Sequence, residues 1–206
     1  NVTEFFRNPK QFETYVEKVL PAIVEKNAGK KTIRVLSAGC SSGEEPYTIA
    51  IVFLESFPSI SGSWNIQIDA VDISTDILKQ AEEGIYKADK MKGLTDQQIA
   101  KFFDKLDPET YKAKDKVKSL IRFKKFNLKA DTFTAKYDVV FCRNVVIYFD
   151  RQTKSNIYQK FFDSMDNSGF FLVGYSEGII NDSRFKYFAP GIYTKNPEGK
   201  APEDLS

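Results

Sequence analysis

The 206-residue chain contains no histidine and only two cysteines, and these shortages exclude whole classes of chemistry. Residues 39–43 fit the pattern G-x-S-x-G, which presents the nucleophilic serine in α/β-hydrolases. A serine hydroxyl is a weak nucleophile at neutral pH and needs a neighbouring base, which in that fold is a histidine. Ser41 is therefore predicted to be a loop residue and not a nucleophile. The same shortages argue against a zinc site, and no metal site is predicted.

The sequence also lacks an apolar run of the roughly 20 residues that a membrane-spanning helix needs, and its N-terminus lacks a signal-peptide core. Its net charge of +2 is too small to indicate a nucleic-acid-binding domain. Two cysteines do not make a disulfide framework, so a reducing compartment is expected. We expect a cytoplasmic monomer with no membrane insertion and no nucleic-acid partner.

Stretches with strand character alternate with stretches of helical periodicity along the chain. Strands are predicted at 32–36, 66–71, 120–126, 137–143 and 170–175, with a closing hairpin at 185–194. Helices are predicted at 9–26, 44–57, 75–83, 95–103 and 151–165. This alternation is typical of an α/β fold with a mostly parallel sheet and helices on both faces. We expect one domain over residues 1–195 and a polar, disordered tail at 196–206.

Candidate binding residues follow the predicted strands, where open α/β sheets bind their ligands. They are Ala38, Gly39, Gly43, Glu44, Glu45, Asp72, Asn127, Leu128, Arg143 and Asn144. Gly39 and Gly43 would let the backbone turn tightly and approach a ligand closely. Asp72 closes the second strand, where nucleotide-binding sheets use a carboxylate to accept hydrogen bonds from ribose hydroxyls.

The loop at 39–43 narrows the choice of nucleotide. The dinucleotide fingerprint G-x-G-x-x-G and the P-loop pattern are both absent. Glu44 and Glu45 begin the next helix, where a pyrophosphate would otherwise bind, and their charges would repel it. A nucleoside with a positively charged tail fits better, which favours S-adenosylmethionine.

Each of these features also has a purely structural interpretation. The glycine loop can be only a tight turn, Asp72 can cap a helix, the two glutamates can complement the helix dipole, and Asn127 can serve a turn. Their common position at strand ends favours a binding site.

Five stretches together resemble the CheR-type chemoreceptor methyltransferases. They are NVTEFFRN (1–8), SAGCSSGEEPYTIA (37–50), AVDIS (70–74), FCRNVVIYFD (141–150) and GYSE (174–177). The resemblance implies a class I S-adenosylmethionine-dependent methyltransferase fold, with a Rossmann-like seven-stranded sheet in which six strands are parallel and the last is antiparallel. It also implies a small inserted β-subdomain at about 84–120. An N-terminal helical domain precedes this region in the family and is expected to be absent from the present chain.

By the same resemblance, the chain would transfer a methyl group from S-adenosylmethionine to glutamate γ-carboxylates on the cytoplasmic helices of chemoreceptors, the methyl-accepting chemotaxis proteins. The product of the cofactor would be S-adenosylhomocysteine. The resemblance implies that the cofactor is bound by Asn1, Thr3, Arg7, a glutamate of the Glu44-Glu45 pair, Asp72, Asn127, Leu128, Arg143 and Asn144. Arg7 and Tyr148 would be the catalytic residues near the methyl, and core packing is the alternative for Tyr148. A glutamate is already ionised at neutral pH, which agrees with a chain that has no histidine base.

In some family members the inserted subdomain docks a receptor C-terminal peptide through a loop that contains glycine. Residues 105–118, the corresponding segment, are predicted to form a loop and contain no glycine, so we expect no such docking. Two alternatives to the glutamate methyltransferase stay open. One is a sensor module that binds the cofactor without transferring the methyl group, and the other is a methyltransferase with a different acceptor.

Overall fold

Residues 2–203, which the computed structural model describes, form a seven-stranded sheet and a smaller three-stranded sheet. The strands are β1 (Thr32–Ala38), β2 (Asn65–Asp72), β3 (Ile85–Lys87), β4 (Phe103–Asp107), β5 (Thr110–Ala113), β6 (Ile121–Lys125), β7 (Tyr137–Cys142), β8 (Met165–Val173), β9 (Phe185–Ala189) and β10 (Ile192–Lys195). The α-helices are α1 (Pro9–Thr14), α2 (Leu20–Lys26), α3 (Glu44–Ser56), α4 (Thr75–Glu83), α5 (Asp96–Phe102), α6 (Asp115–Lys118) and α7 (Arg151–Ser164).

The larger sheet has the strand order β6-β2-β1-β7-β8-β10-β9. Strands β6, β2, β1, β7 and β8 are parallel, β10 is antiparallel to β8, and β9 is antiparallel to β10. Strand β9 therefore runs in the same direction as β8, and within this sheet only β10 is reversed. The predicted arrangement of six parallel strands and one antiparallel strand is confirmed, and with it the class I methyltransferase fold.

Strand β7 shows why the sheet needs helices on both faces. Every residue from Tyr137 to Cys142 is buried. Because side chains alternate across a strand, Val139 and Phe141 pack into one apolar cluster, while Val140 and Cys142 pack into another. The first cluster includes residues of α1, α2 and α3, and the second includes residues of α7.

The predicted helix at 9–26 is one continuous helical stretch with a π-helical turn at Tyr15–Val19 between α1 and α2. Pro21 lies immediately after this turn and has no N–H to donate to the ladder. A local change in the hydrogen-bonding pattern is a common way for a helix to accommodate such a residue.

The inserted segment forms the antiparallel sheet β3-β5-β4 together with α5 and α6. The Thr95 capping box that starts α5 is present, as the sequence predicts. The prediction of a loop over 105–118 is wrong, because the segment forms the end of β4, a short turn, β5 and α6. Phe5 packs edge-on against Tyr86 and Phe103 of this subdomain, at centroid distances of 4.9 and 5.8 Å. The subdomain thereby holds the N-terminal segment against the main sheet.

The described part of the predicted tail makes hydrogen bonds to the loop before β9. The Asn196 side chain donates to the Ser183 carbonyl at 2.6 Å, and the Lys200 N–H donates to the Ser183 hydroxyl at 3.0 Å. Among residues 2–203, no helix combines the length and the apolar character that crossing a membrane would require.

Candidate functional site

The loop between β1 and α3 turns sharply at the carboxyl edge of the sheet. The N–H groups of Gly39 and Cys40 both donate to the Val71 carbonyl, at 2.8 and 2.9 Å. Gly39 has a φ of 71°, and a Cβ there would lie 2.5 Å from a methyl carbon of Val145. Glycine is therefore required at 39 both by the left-handed backbone and by the close approach of the neighbouring strand end.

A cleft opens above this loop. Its lining comes from the N-terminal segment, the glycine loop and the ends of β2 and β7, and comprises Thr3, Glu4, Arg7, Gly39, Cys40, Ser41, Glu45, Asp72, Arg143, Asn144 and Val145. The predicted site residues among them are Thr3, Arg7, Gly39, Glu45, Asp72, Arg143 and Asn144. The sequence prediction missed Glu4, Cys40 and Val145, although all three lie within the family-like stretches. Ser41, predicted to be a loop residue beside a nucleoside, is part of the lining.

Asp72 joins the glycine loop to the end of β2. Its Oδ2 accepts the Ser41 N–H at 2.9 Å, and its Oδ1 accepts the Ser74 N–H at 3.0 Å. The cap of α4 is Ser74, whose hydroxyl accepts the Ile77 N–H at 3.4 Å. A carboxylate oxygen can accept more than one hydrogen bond, so both oxygens keep capacity for a ligand.

Glu45 forms a largely buried ion pair with Arg143. Its Oε2 accepts from Arg143 Nε at 2.8 Å, and its Oε1 accepts from the Ser37 hydroxyl at 2.7 Å. Arg143 Nη1 also donates to the Arg7 carbonyl at 2.7 Å and to Gln11 Oε1 at 3.0 Å. Arg143 thus ties the N-terminal segment and α1 to the start of α3.

Gln11 is a buried residue behind the cleft lining that contacts Arg143, and no sequence motif marks it. Its Nε2 donates to the Val173 carbonyl at 2.9 Å and to the Gly191 carbonyl at 3.1 Å, while its Oε1 accepts from Arg143. The Gln11 side chain therefore connects α1 with the ends of β8 and β10 and with the cleft.

Glu44 differs from its neighbour because it is buried and does not line the cleft. It is buried, and its Oε2 accepts from the Ser42 hydroxyl at 2.8 Å. Burial raises the pKa of Glu44 above its usual range, and hydrogen bonds from Ser42, the backbone and Thr3 oppose that rise. Of the two glutamates, the structure brings Glu45 to the cleft.

Several other predicted residues lie away from the cleft lining. Ala38 is buried in the core, and Gly43 approaches the Tyr86 hydroxyl. Asn127 accepts the Lys129 N–H through its side chain at 2.9 Å, as a turn residue does, and Leu128 packs against the apolar cluster around α7. Asn1 lies outside the described residues.

Tyr148 is also outside the cleft lining, in a 3₁₀ turn at Val146–Tyr148. Its side chain is 72% exposed, so the alternative of core packing is wrong. The apolar stretch around it suggests burial, but within the turn Val146 is buried and Tyr148 faces solvent.

The two thiols are unsuited to chemistry. Burial raises the pKa of Cys40, with the charges of Asp72 and Glu45 adding to the effect, and burial likewise raises the pKa of Cys142. A thiol with a raised pKa is a poor nucleophile and base at neutral pH. Within residues 2–203, no group of three or more acidic or cysteine side chains is arranged to hold a metal ion.

A family model and several similar proteins point to the same protein family. Residues 1–191 match a family model described as CheR methyltransferase, SAM binding domain. The Borreliella burgdorferi chemotaxis protein methyltransferase is 39% identical over 200 residues, covering 95% of this chain and 71% of that protein. The Listeria innocua chemotaxis protein methyltransferase is 38% identical over 186 residues, covering 90% and 68%. The Vibrio cholerae chemotaxis protein methyltransferase 2 is 36% identical over 212 residues, covering 98% and 72%.

Solved structures with a similar fold include the glycopeptide N-methyltransferase MtfA complexed with sinefungin. It has a TM-score of 0.43 and 14% identity, covering 73% of this chain and 47% of that one. PKMT2 from Rickettsia typhi in complex with AdoHcy has a TM-score of 0.43 and 16% identity, covering 69% and 21%. These likenesses are too distant to carry an argument about function.

Proposed function

The chain belongs to the CheR methyltransferase family, and we propose that it methylates glutamate γ-carboxylates on the cytoplasmic helices of chemoreceptors. Family membership makes it a methyltransferase of chemotaxis whose cofactor is S-adenosylmethionine. The glutamate acceptor, the site residues and the extent of the catalytic domain, residues 1–195, are the proposal.

The observation that carries the glutamate acceptor is that the cleft offers neither a histidine nor a reactive thiol as a base, and that two of its three carboxylates are already engaged. Glu45 is paired with Arg143, and Asp72 accepts two backbone N–H groups. The chain has no histidine, and the cleft thiol of Cys40 has a raised pKa. An amine or hydroxyl acceptor must lose a proton to accept a methyl group, which calls for a base. A glutamate carboxylate is ionised at neutral pH and needs none. The chemistry then reduces to holding one oxygen in line with the methyl group.

The cleft residues fit the cofactor by the chemistry of their donors and acceptors. We assign Asp72 to the ribose hydroxyls, because both of its oxygens keep acceptor capacity, and Gly39 to close backbone approach. Glu45 is the glutamate assigned to the cofactor's cationic amino-acid end, since it lines the cleft and Glu44 does not. Thr3, Arg143 and Asn144 complete this part of the site. For Asn1, Ala38, Gly43, Glu44, Asn127 and Leu128 the proposal rests on the family resemblance.

Arg7 is the proposed ligand of the incoming carboxylate. It lines the cleft, and its Nη1 donates to the Val2 carbonyl at 2.9 Å. The guanidinium carries five N–H donors, so it can form charge-assisted hydrogen bonds to a glutamate as well. The exposed Tyr148 is proposed to contact the acceptor at the mouth. Bound S-adenosylmethionine supplies the electrophilic methyl sulfonium. A glutamate held by Arg7 would present one carboxylate oxygen to that methyl group and, being ionised at neutral pH, would need no base.

The acceptor can be tested with methyl-labelled S-adenosylmethionine and a receptor cytoplasmic fragment. Carboxyl methyl esters hydrolyse in alkali to volatile methanol, whereas N-methyl groups do not. Base-labile label on the receptor fragment supports glutamate methylation. Alkali-stable label would show that the acceptor is not a carboxylate. Cofactor binding without any methyl transfer would favour a sensor module.

Arg7→Ala tests the catalytic assignment. We expect cofactor affinity to stay within a few-fold and turnover to fall about 10- to 100-fold, because a hydrogen bond to a charged group contributes about 1.5–3 kcal/mol. The matched control is Lys10→Ala, which removes a nearby exposed cation and should leave turnover unchanged. Normal turnover of Arg7→Ala at saturating receptor would remove Arg7 from the mechanism.

A further inference from the structure

A buried carboxylate outside the cleft holds one of the cleft loops. Asn144 follows β7, lines the cleft and has a left-handed backbone, with a φ of 61°. Its N–H donates to Oε1 of Glu177, and the same oxygen accepts the Gly174 N–H at 3.1 Å. We call these two hydrogen bonds the Glu177 clip. The clip joins the loop after β7 to the loop after β8.

The surroundings leave the Glu177 clip little freedom. Glu177 is 2% exposed and closes a 3₁₀ turn, Tyr175–Glu177, in which its own N–H donates to the Gly174 carbonyl at 2.9 Å. A Cβ on Gly174 would lie 2.7 Å from Glu177 Oε1 and 2.8 Å from Asn144 Nδ2. Glycine at 174 therefore allows both side chains to meet there.

Burying this carboxyl group is unfavourable for folding. Burial raises the pKa of Glu177, while the N–H groups of Asn144 and Gly174 and the charge of Lys154 oppose the rise. Its Oε2 has no hydrogen-bond partner among the described residues. An isolated buried acceptor of this kind costs free energy, so packing by itself does not account for a glutamate at this position.

We propose that Glu177 is a positioning residue for cofactor binding, acting through the backbone of Asn144. A left-handed backbone is less favourable than a right-handed one for a residue with a side chain, and the clip offsets that cost. The loop then holds its binding conformation before the cofactor arrives. The inference rests on the proposed function only in taking the cleft as the cofactor site.

Calorimetric titration with S-adenosylmethionine measures cofactor affinity in two Glu177 variants. Their comparison shows whether affinity depends on the hydrogen bonds of the clip or on the charge of the carboxylate. Glu177→Ala removes the clip, whereas Glu177→Gln keeps one oxygen that can accept both N–H groups. If the loop is competent about a tenth of the time without the clip, the Kd of Glu177→Ala rises about ten-fold. We expect Glu177→Gln to stay within about three-fold of the wild type, and turnover at saturating cofactor to change little in either variant. The effect then appears in the KM of the cofactor and not in kcat.

Gly174→Ala tests the same clip without removing the carboxylate, and remains available if Glu177→Ala fails to fold. Its methyl group should displace Glu177 Oε1 and weaken cofactor binding. The matched control in the same loop is Gly178→Ala, because nothing lies within 4 Å of a Cβ at that position.

Two results would overturn the inference. One is wild-type affinity in a folded Glu177→Ala protein, and the other is a loss in Glu177→Gln as large as in Glu177→Ala. Asp72→Asn separates this outcome from failure of the proposed function. If Asp72→Asn weakens cofactor binding and Glu177→Ala does not, only the proposed role of the clip is refuted. If neither substitution changes affinity, the cleft is not the cofactor site.

Discussion

Replacement of Arg143 by methionine should reduce the stability of the whole fold as well as disturb the cleft. The guanidinium donates to Glu45, to the Arg7 carbonyl and to Gln11, and it lies 4.8 Å from the centre of the Phe12 ring. Methionine can fill part of this space and contact the ring, but it donates no hydrogen bond. The substitution therefore removes the cation and leaves three acceptors without their donor.

The expected loss follows from burial of the pair. The Arg143 and Glu45 side chains are 3% and 13% exposed. Breaking a buried ion pair by removing one partner costs about 3–5 kcal/mol, because the remaining charge is buried without compensation. Domains are stable by about 5–15 kcal/mol, so we expect a folded protein with a clearly lower free energy of unfolding.

Urea unfolding, followed by far-UV circular dichroism and by fluorescence of the single tryptophan, Trp64, measures this loss. The double variant Arg143→Met/Glu45→Gln should recover about 1–3 kcal/mol, because neutralising Glu45 removes the uncompensated charge. Arg122→Met is the matched control at an exposed position of β6 and should stay within about 0.5 kcal/mol of the wild type. A loss below about 1 kcal/mol in Arg143→Met, or strict additivity in the double variant, would refute the reasoning.

Two further predictions concern buried titratable groups. Burial raises the folded-state pKa of Glu44, so wild-type stability should fall as pH rises from about 4.3, the unfolded-state value, through the raised folded-state pKa. Glu44→Gln lacks this titrating group, so its Tm should rise relative to that of the wild type over this pH interval. An equal difference in Tm between the two proteins at pH 4 and at pH 8 would contradict the explanation. Because burial raises the pKa of both Cys40 and Cys142, iodoacetamide at pH 8 should alkylate the native protein far more slowly than the urea-unfolded protein, and equal rates would show that the thiols are accessible.

Much of the secondary structure could be predicted from the sequence because single strands and helices depend on local patterns. The buried run in β7 and the capping box at Thr95 each specify an element within a few residues. Parallel strands place their carboxyl ends at one edge, so residues such as Gly39, Asp72 and Arg143 were expected to meet there. The structure brings all three to one cleft.

Which side chains face that cleft was decided by packing between distant segments. Successive residues of a helix point about 100° apart, so the placement of α3 brings Glu45 to the cleft and buries Glu44 away from its lining. Tyr148 lies in an apolar stretch, yet its 3₁₀ turn exposes it.

Composition and local pattern by themselves determined that this chain has no histidine chemistry and that its strands and helices alternate, and they predicted which strand-end residues would meet at one edge of the sheet. Only the tertiary structure identified Gln11 and Glu177 as residues that hold the cleft loops. Gln11 contacts the carbonyl of Val173, 162 residues away, and Glu177 contacts Asn144 from the neighbouring strand end. Such contacts leave no local pattern, because hydrogen-bond partners in a folded chain are selected by proximity in space and not by spacing along the sequence.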